Sequence, residues 1–126
     1  MPASGIIIAT VISFVASATL YSIPAVSALV SRTSTPRAGL PMAAQIGSVA
    51  LRSLIAACLV AGLLEAADWH GARAGALLGL SLSALPLTLL MGGVVHENTA
   101  PSAACVHLID WIIKLTLIGA AVGHFA

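Results

Sequence analysis

Hydrophobic positions along the chain form four long blocks separated by short polar breaks. The blocks cover residues 6–30, 41–66, 72–95 and 101–123. Each block is long enough for a transmembrane helix, which needs about 20 mainly apolar residues. Because the breaks are short, consecutive helices should be antiparallel neighbours. The pattern therefore predicts an all-α protein, an integral membrane four-helix bundle with up-down-up-down topology and a single domain over residues 1–126.

The composition also indicates a membrane environment for the chain. Hydrophobic residues make up 60% of the 126-residue chain and charged residues only 7%, whereas soluble domains are about 25% charged. The first block is too long for the core of a secretory signal and lacks a basic flank, so we expect it to be retained as a helix. A net charge of +1 argues against a nucleic-acid partner. The lipid bilayer is the expected surrounding.

Arginines outside the blocks indicate an orientation. Arg32 and Arg37 lie in the first connection, whereas Arg73 and the N-terminal amine lie on the opposite side. Basic residues accumulate in cytoplasmic loops. We therefore expect the first connection in the cytoplasm and both termini outside. The side of the bundle that holds the first and third connections is called the first-loop side below.

Three charged residues lie deep inside the hydrophobic blocks, where each costs about 2.5–3.5 kcal/mol at the helix centre. At 1.5 Å per residue, Arg52 lies about 15 Å in from Met42. By the same rule Asp110 and Lys114 lie about 12 and 18 Å in from Ser102, also measured from the first-loop side. All three should therefore share one layer, face protein or water, and pair.

Polar residues extend this layer toward the first-loop side. Spacings of i, i+3 and i+7 place polar side chains in one stripe on the second helix and one on the fourth, and Tyr21 reaches a similar depth. We expect a polar half-cavity that is open on the first-loop side and closed by apolar residues beyond. Its candidate ligand-binding or relay residues are Tyr21, Gln45, Ser48, Arg52, His107, Asp110 and Lys114.

This layer has two interpretations. In the first, the half-cavity binds or permeates a small anion, another polar solute or protons. In the second, the charges form a structural network that fixes helix register in an accessory or assembly subunit of a larger membrane complex. Enzyme activity is less favoured, because the sequence shows no recognisable nucleophile–base pair.

Small residues recur at four-residue spacing on two of the helices. Gly71, Gly75 and Gly79 form such a row on the third, and Gly119 and Gly123 form another on the fourth. Ser13 and Ser17 form a similar ridge that leads to Tyr21 on the first helix. Such rows allow close helix approach in membranes, either within one bundle or at a dimer seam. A homo-oligomer or a partner in a membrane complex is expected, because so small a bundle leaves much helix surface uncovered.

No cofactor or metal is expected. His70 with His124, or His96 with His107, could ligate a haem axially. These histidines lie largely in turns or near a terminus, where histidine is ordinary, and no metal-ligand spacing supports a metal site.

Several short elements resemble one known family. They are Tyr21, Ser22 and Pro24 in the first helix, the small-residue stretch 75–80, the turn 96–98, and Asp110. In these elements the chain resembles the small four-helix bacterial membrane proteins of the domain of unknown function numbered 1761. It departs from them by having Ile23 before the proline and by lacking an aromatic-rich stretch after it. The resemblance implies the four-helix fold and a bacterial inner membrane, and it implies no activity.

Overall fold

A computed structural model of the protein describes residues 3–34 and 38–126. Within these ranges the chain forms helices and no strand. The helices are α1 (Ala3–Ser22), α2 (Pro24–Thr33), α3 (Met42–Ala67), α4 (Ala72–Leu82), α5 (Ala84–His96) and α6 (Pro101–His124). Arg37, which contributes to the expected orientation, lies outside the described residues.

Four helical spans are long and apolar enough to cross a membrane. They are Ala3–Ser22, Met42–Ala67, Ala72–His96, which comprises α4 and α5, and Pro101–His124. The predicted all-α membrane bundle is therefore confirmed. Contacts along α6 show the antiparallel arrangement: Gly5 at the start of α1 lies beside Phe125, whereas Ser17 near the end of α1 contacts Asp110.

Prolines divide two of the predicted helices. The block at residues 6–30 was expected as one helix, but Ile23 adopts an extended conformation with ψ of 126°. A residue before proline is pushed out of the helical region, so α1 ends and α2 begins at Pro24. The helix of the third block is interrupted at Ser83, one turn before Pro86. Proline lacks the N–H that would continue the helical ladder and its ring crowds the preceding turn.

The fourth span is the centre of the bundle. α6 packs against α1, α3 and α4. A hydrophobic core fills the half of the bundle away from the first-loop side. It consists of Ala9, Ala56, Ala57, Val60, Ala61, Leu64, Leu115, Ile118 and Val122. This core supplies the apolar barrier expected beyond the charged layer.

The closest helix contact joins α4 to α6. Cβ atoms added at Gly75 or Gly79 would overlap the backbone carbonyl oxygens of Gly119 and Leu115. At the end of the same contact, the Gly71 N–H donates a hydrogen bond of 3.0 Å to the Gly123 carbonyl. The structure thus brings all five seam glycines together within one chain. The expected oligomer stays a prediction, and it would need a different surface because α6 covers this face of α4.

Candidate functional site

A buried ion pair lies at the centre of the predicted layer. Lys114 Nζ is 3.1 Å from Asp110 Oδ2, and the two side chains are 4% and 7% exposed. Ser17 of α1 donates a hydrogen bond of 2.5 Å to the other carboxylate oxygen. Lys114 Nζ also lies 5.1 Å from the centre of the Trp111 ring, within the range of a cation–π contact. The pair is therefore neutral as a unit and has its partners inside the chain.

A second polar contact lies one turn closer to the first-loop side. The Tyr21 hydroxyl is 2.8 Å from His107 Nδ1, and both side chains are partly buried. Tyr21 is four residues beyond Ser17 on α1, and His107 is three residues before Asp110 on α6. Because the two helices are antiparallel, the two contacts stack along the α1–α6 interface.

Arg52 behaves differently from the other two charges. It is exposed at the surface of α3, and its Nε donates to the Ser48 carbonyl at 3.4 Å. Since Ser48 lies one turn earlier, the guanidinium is directed back toward the first-loop side. Among residues 3–34 and 38–126, Arg52 forms no ion pair. Arg52 was expected to pair with Asp110, and the structure shows no such contact. The Asp110 carboxylate is instead paired with Lys114, four residues later on the same helix.

A cavity of about 380 Å³ lies between α1, α3 and α6, and we call it the polar cavity. Six of the seven candidate residues line it, namely Tyr21, Gln45, Arg52, His107, Asp110 and Lys114. The rest of its wall is mainly apolar, with Phe14, Ala18, Met42, Ile46, Val49 and Trp111 beside Ser17. A few polar groups in a largely apolar wall are typical of small-molecule sites.

Ser48 is the candidate that the structure leaves out of this cavity. Its side chain is exposed, and only its carbonyl takes part, by accepting the Arg52 bond. At 100° per residue, positions 45, 49 and 52 lie on one face of α3, and position 48 lies at the edge of that face. Val49 therefore lines the cavity at the level where the i, i+3, i+7 pattern predicted Ser48.

One residue of the site was not predicted as a member. Ser17, seen in the sequence only as part of a small-residue ridge, is the hydrogen-bond partner of Asp110. Trp111, for which the sequence left open a place in the cavity wall or one facing lipid, contacts Lys114 and lines the polar cavity. The signal for Ser17 was present in its spacing, because a residue four before Tyr21 lies on the same helix face.

The histidines are distributed over different surroundings. His70 Nε2 lies 2.9 Å from Asp68 Oδ1 in an exposed turn, whereas His107 contacts Tyr21. Within the described part of the chain, no group of three or more His, Cys, Asp or Glu side chains could hold a metal ion. The expected absence of a cofactor stays a prediction.

Comparison with known proteins assigns the sequence to a family. Residues 4–123 match the family described as protein of unknown function (DUF1761). The chain belongs to this family. The match covers the four helical spans except for Ala3 and His124, and it includes every residue that lines the polar cavity. It confirms the resemblance seen in the sequence. No curated protein and no solved structure matches the chain.

The Ser17–Asp110 contact of this DUF1761 chain yields a first prediction. Replacing Ser17 by alanine should lower the free energy of unfolding by about 1.5–3 kcal/mol, because a hydrogen bond to a buried charged group is lost. Ser13→Ala is the matched control. Ser13 is also buried on α1, but its hydroxyl bonds the Thr10 carbonyl of its own helix at 3.0 Å.

Equilibrium unfolding in mixed micelles with increasing dodecyl sulfate, followed by circular dichroism, would measure both variants. Ser13→Ala should lose less than about 1 kcal/mol, as expected for a local neutral hydrogen bond. Equal losses in the two variants would contradict a special role for Ser17.

Proposed function

We propose that this protein binds a small anionic solute in the polar cavity, with Arg52 as the counter-ion. The charge distribution is the observation that carries the proposal. Asp110 and Lys114 neutralise each other, whereas Arg52 lines the same cavity with no carboxylate paired to it in the described ranges. One positive charge is therefore left over at membrane depth, where an uncompensated charge is costly. A bound anion would remove that cost.

The other polar groups of the cavity suit the same ligand. Arginine presents a planar fork of donors that matches a carboxylate or phosphate in two places. The Gln45 amide lines the same wall; its Nε2 donates to the Leu40 carbonyl at 3.2 Å and has a second N–H that can donate to a ligand. The Tyr21 hydroxyl also lines this wall, within hydrogen-bond distance of His107. A volume of about 380 Å³ falls in the range of about 300–1,000 Å³ that is usual for ligand pockets. The ligand should therefore be small, singly anionic and partly apolar.

The proposal includes a direction of access. Met42 and Gln45, which line the cavity, lie in the first turn of α3 at the first-loop side. With that side in the cytoplasm of a bacterial inner membrane and both termini outside, as the arginine pattern favours, the ligand enters from the cytoplasm. The site needs no cofactor, since its own side chains supply the charge and the donors.

Binding can be tested with hexanoate as the probe. Trp69→Phe leaves Trp111, in the cavity wall, as the only tryptophan. In lipid nanodiscs, hexanoate should change Trp111 fluorescence saturably, whereas neutral hexanol should not. Arg52→Gln should weaken hexanoate binding about tenfold or more, because a charged hydrogen bond contributes about 1.5–3 kcal/mol.

The matched control is Arg73→Gln, which removes an equal charge from an exposed position at the start of α4. This variant should keep the affinity of the parent protein. Absence of saturable binding, or equal affinity in the two arginine variants, would contradict the proposal.

A second candidate function is an accessory or assembly subunit of a membrane complex. The exposure of the Arg52 side chain favours it, because a carboxylate from another subunit could then supply the missing counter-ion. In that case hexanoate should fail to bind. Instead, Arg52→Gln should release a partner that co-purifies in mild detergent, and Arg73→Gln should retain it.

A further inference from the structure

A second cavity, which we call the apolar groove, lies next to the polar cavity. It has a volume of about 490 Å³ and lies between α3, α5 and α6. Its wall is almost wholly aliphatic, with Ile55 and Leu59 from α3 and Leu85 and Leu89 from α5 among its members.

The helix break at Ser83 accounts for the position of this groove. Before the break, the glycines of α4 hold that helix against the α6 backbone. After it, α5 has no buried residue and packs on α6 far less extensively. The third span therefore separates from α6 in its second half, and the groove occupies the resulting space.

The two cavities share two wall residues, Arg52 and Trp111. Arg52 is the one charged residue in the wall of the apolar groove. Arg52 therefore lies at the boundary between the polar cavity and the apolar groove. A ligand bound to it can extend into either space.

Depth places this junction within the groove and not at its end. Measured from Met42, Arg52 lies about 15 Å in and Leu59 about 25 Å in, whereas Leu89 of α5, measured from His96 on the same side, lies about 10 Å in. The groove therefore extends to both sides of Arg52 along the membrane normal. The bond to the Ser48 carbonyl directs the guanidinium toward the first-loop side. A headgroup held by Arg52 can therefore leave its alkyl chain in the groove between α3 and α5.

Building on the proposed function, we propose that the anionic ligand is an amphiphile with an alkyl chain. Its carboxylate or phosphate headgroup binds Arg52 at the polar cavity, and its chain lies in the apolar groove between α3 and α5. The shared chemistry is an anionic headgroup on an aliphatic tail, whether it comes from a free fatty acid or from an anionic phospholipid.

A photoreactive probe can locate the chain. The probe is dodecanoate with a diazirine in the distal half of its chain, added to the protein in phosphatidylcholine nanodiscs. After illumination, peptide mapping should place most of the label on α5 near Leu85 and Leu89 and on α3 near Leu59. Excess dodecanoate should suppress this labelling, excess dodecanol should not, and Arg52→Gln should reduce it at least fivefold.

A groove-filling variant separates this inference from the proposed function. Leu59→Phe places a larger side chain in the groove, and Leu63→Phe makes the same change one turn further along α3, outside the groove wall. Leu59→Phe should reduce labelling severalfold and leave hexanoate affinity unchanged. Leu63→Phe should alter neither measurement, and both variants should show parent-like circular dichroism.

The outcomes are distinguishable. If hexanoate binds through Arg52 but the label is spread over all lipid-facing helices, the groove inference is overturned and the proposed function stands. If neither probe depends on Arg52, both fail. Nanodiscs containing phosphatidylglycerol identify the source: loss of dodecanoate labelling there supports an anionic phospholipid as the occupant, and retained labelling supports a fatty acid.

Discussion

Replacing Gly75 by alanine is expected to destabilise the folded protein by about 3 kcal/mol, at the upper end of the usual cost of overpacking. The added Cβ would overlap the carbonyl oxygen of Gly119 on the facing helix. This obstacle is backbone, so no side-chain rotation can relieve it. α4 and α6 would have to move apart, and the contacts on both sides of the seam would loosen.

Gly62→Ala is the matched control for this experiment. Gly62 also lies inside a spanning helix, but a Cβ added there meets no atom within 4 Å. Alanine is favoured over glycine in a helix by about 0.5–1 kcal/mol, so this variant should be neutral or slightly stabilised. Dodecyl sulfate unfolding of both variants would measure the difference. A Gly75→Ala protein as stable as Gly62→Ala would show that the α4–α6 seam is less tight than described.

The glycine seam illustrates what sequence periodicity can predict. A four-residue spacing of glycines predicts the contact face of each helix, and Gly75 and Gly79 indeed form such a face on α4. Gly71, just before α4, extends it through its backbone hydrogen bond to Gly123. The spacing does not specify the partner helix, because another copy of the chain could supply a matching row. Only the packed structure pairs Gly75 with Gly119 and so covers this face within the chain.

The charged layer was likewise only partly predictable: the sequence indicates the depth of its residues but not their pairing. Helix rise predicts the depth of Asp110, Lys114 and Arg52, since depth depends on residue number alone. Pairing also depends on helix rotation and on the side-chain rotamer. The Arg52 side chain runs back along its own helix to Ser48, while Lys114 reaches Asp110 across one turn. Helix rotation and rotamer depend on packing against the other helices, which the local sequence pattern does not specify.

The helix breaks were only partly predictable for the same reason. Pro86 inside the third block indicates a disturbed helix, and the structure interrupts the helix at Ser83. The division at Ile23 follows from the same rule applied to Pro24. The separation of α5 from α6, which opens the apolar groove, depends in addition on how tightly the glycines of α4 hold the first half of that span.

Neutralising Asp110 alone is expected to have the largest effect of any substitution in the polar cavity. In Asp110→Asn, the Lys114 ammonium stays buried at 4% exposure with its carboxylate removed. Breaking one side of a buried ion pair typically costs about 3–5 kcal/mol. Ser17 can still form a hydrogen bond with the asparagine side chain, so the loss of stability comes mainly from the missing negative charge.

A double-mutant cycle separates the pair from its members. Lys114→Gln should also be destabilised, because it leaves the Asp110 carboxylate buried without its cation. The double variant Asp110→Asn/Lys114→Gln contains no unpaired charge, and two amides at i,i+4 can bond each other, so it should recover most of the stability. Glu65→Gln, at the exposed end of α3, is the control and should change stability by less than about 0.5 kcal/mol. If Asp110→Asn resembles this control, or if the double variant loses the sum of the two single losses, the ion pair does not stabilise the bundle. Recovery in the double variant together with unchanged hexanoate affinity would assign the pair a structural role and leave Arg52 as the charge that binds the ligand.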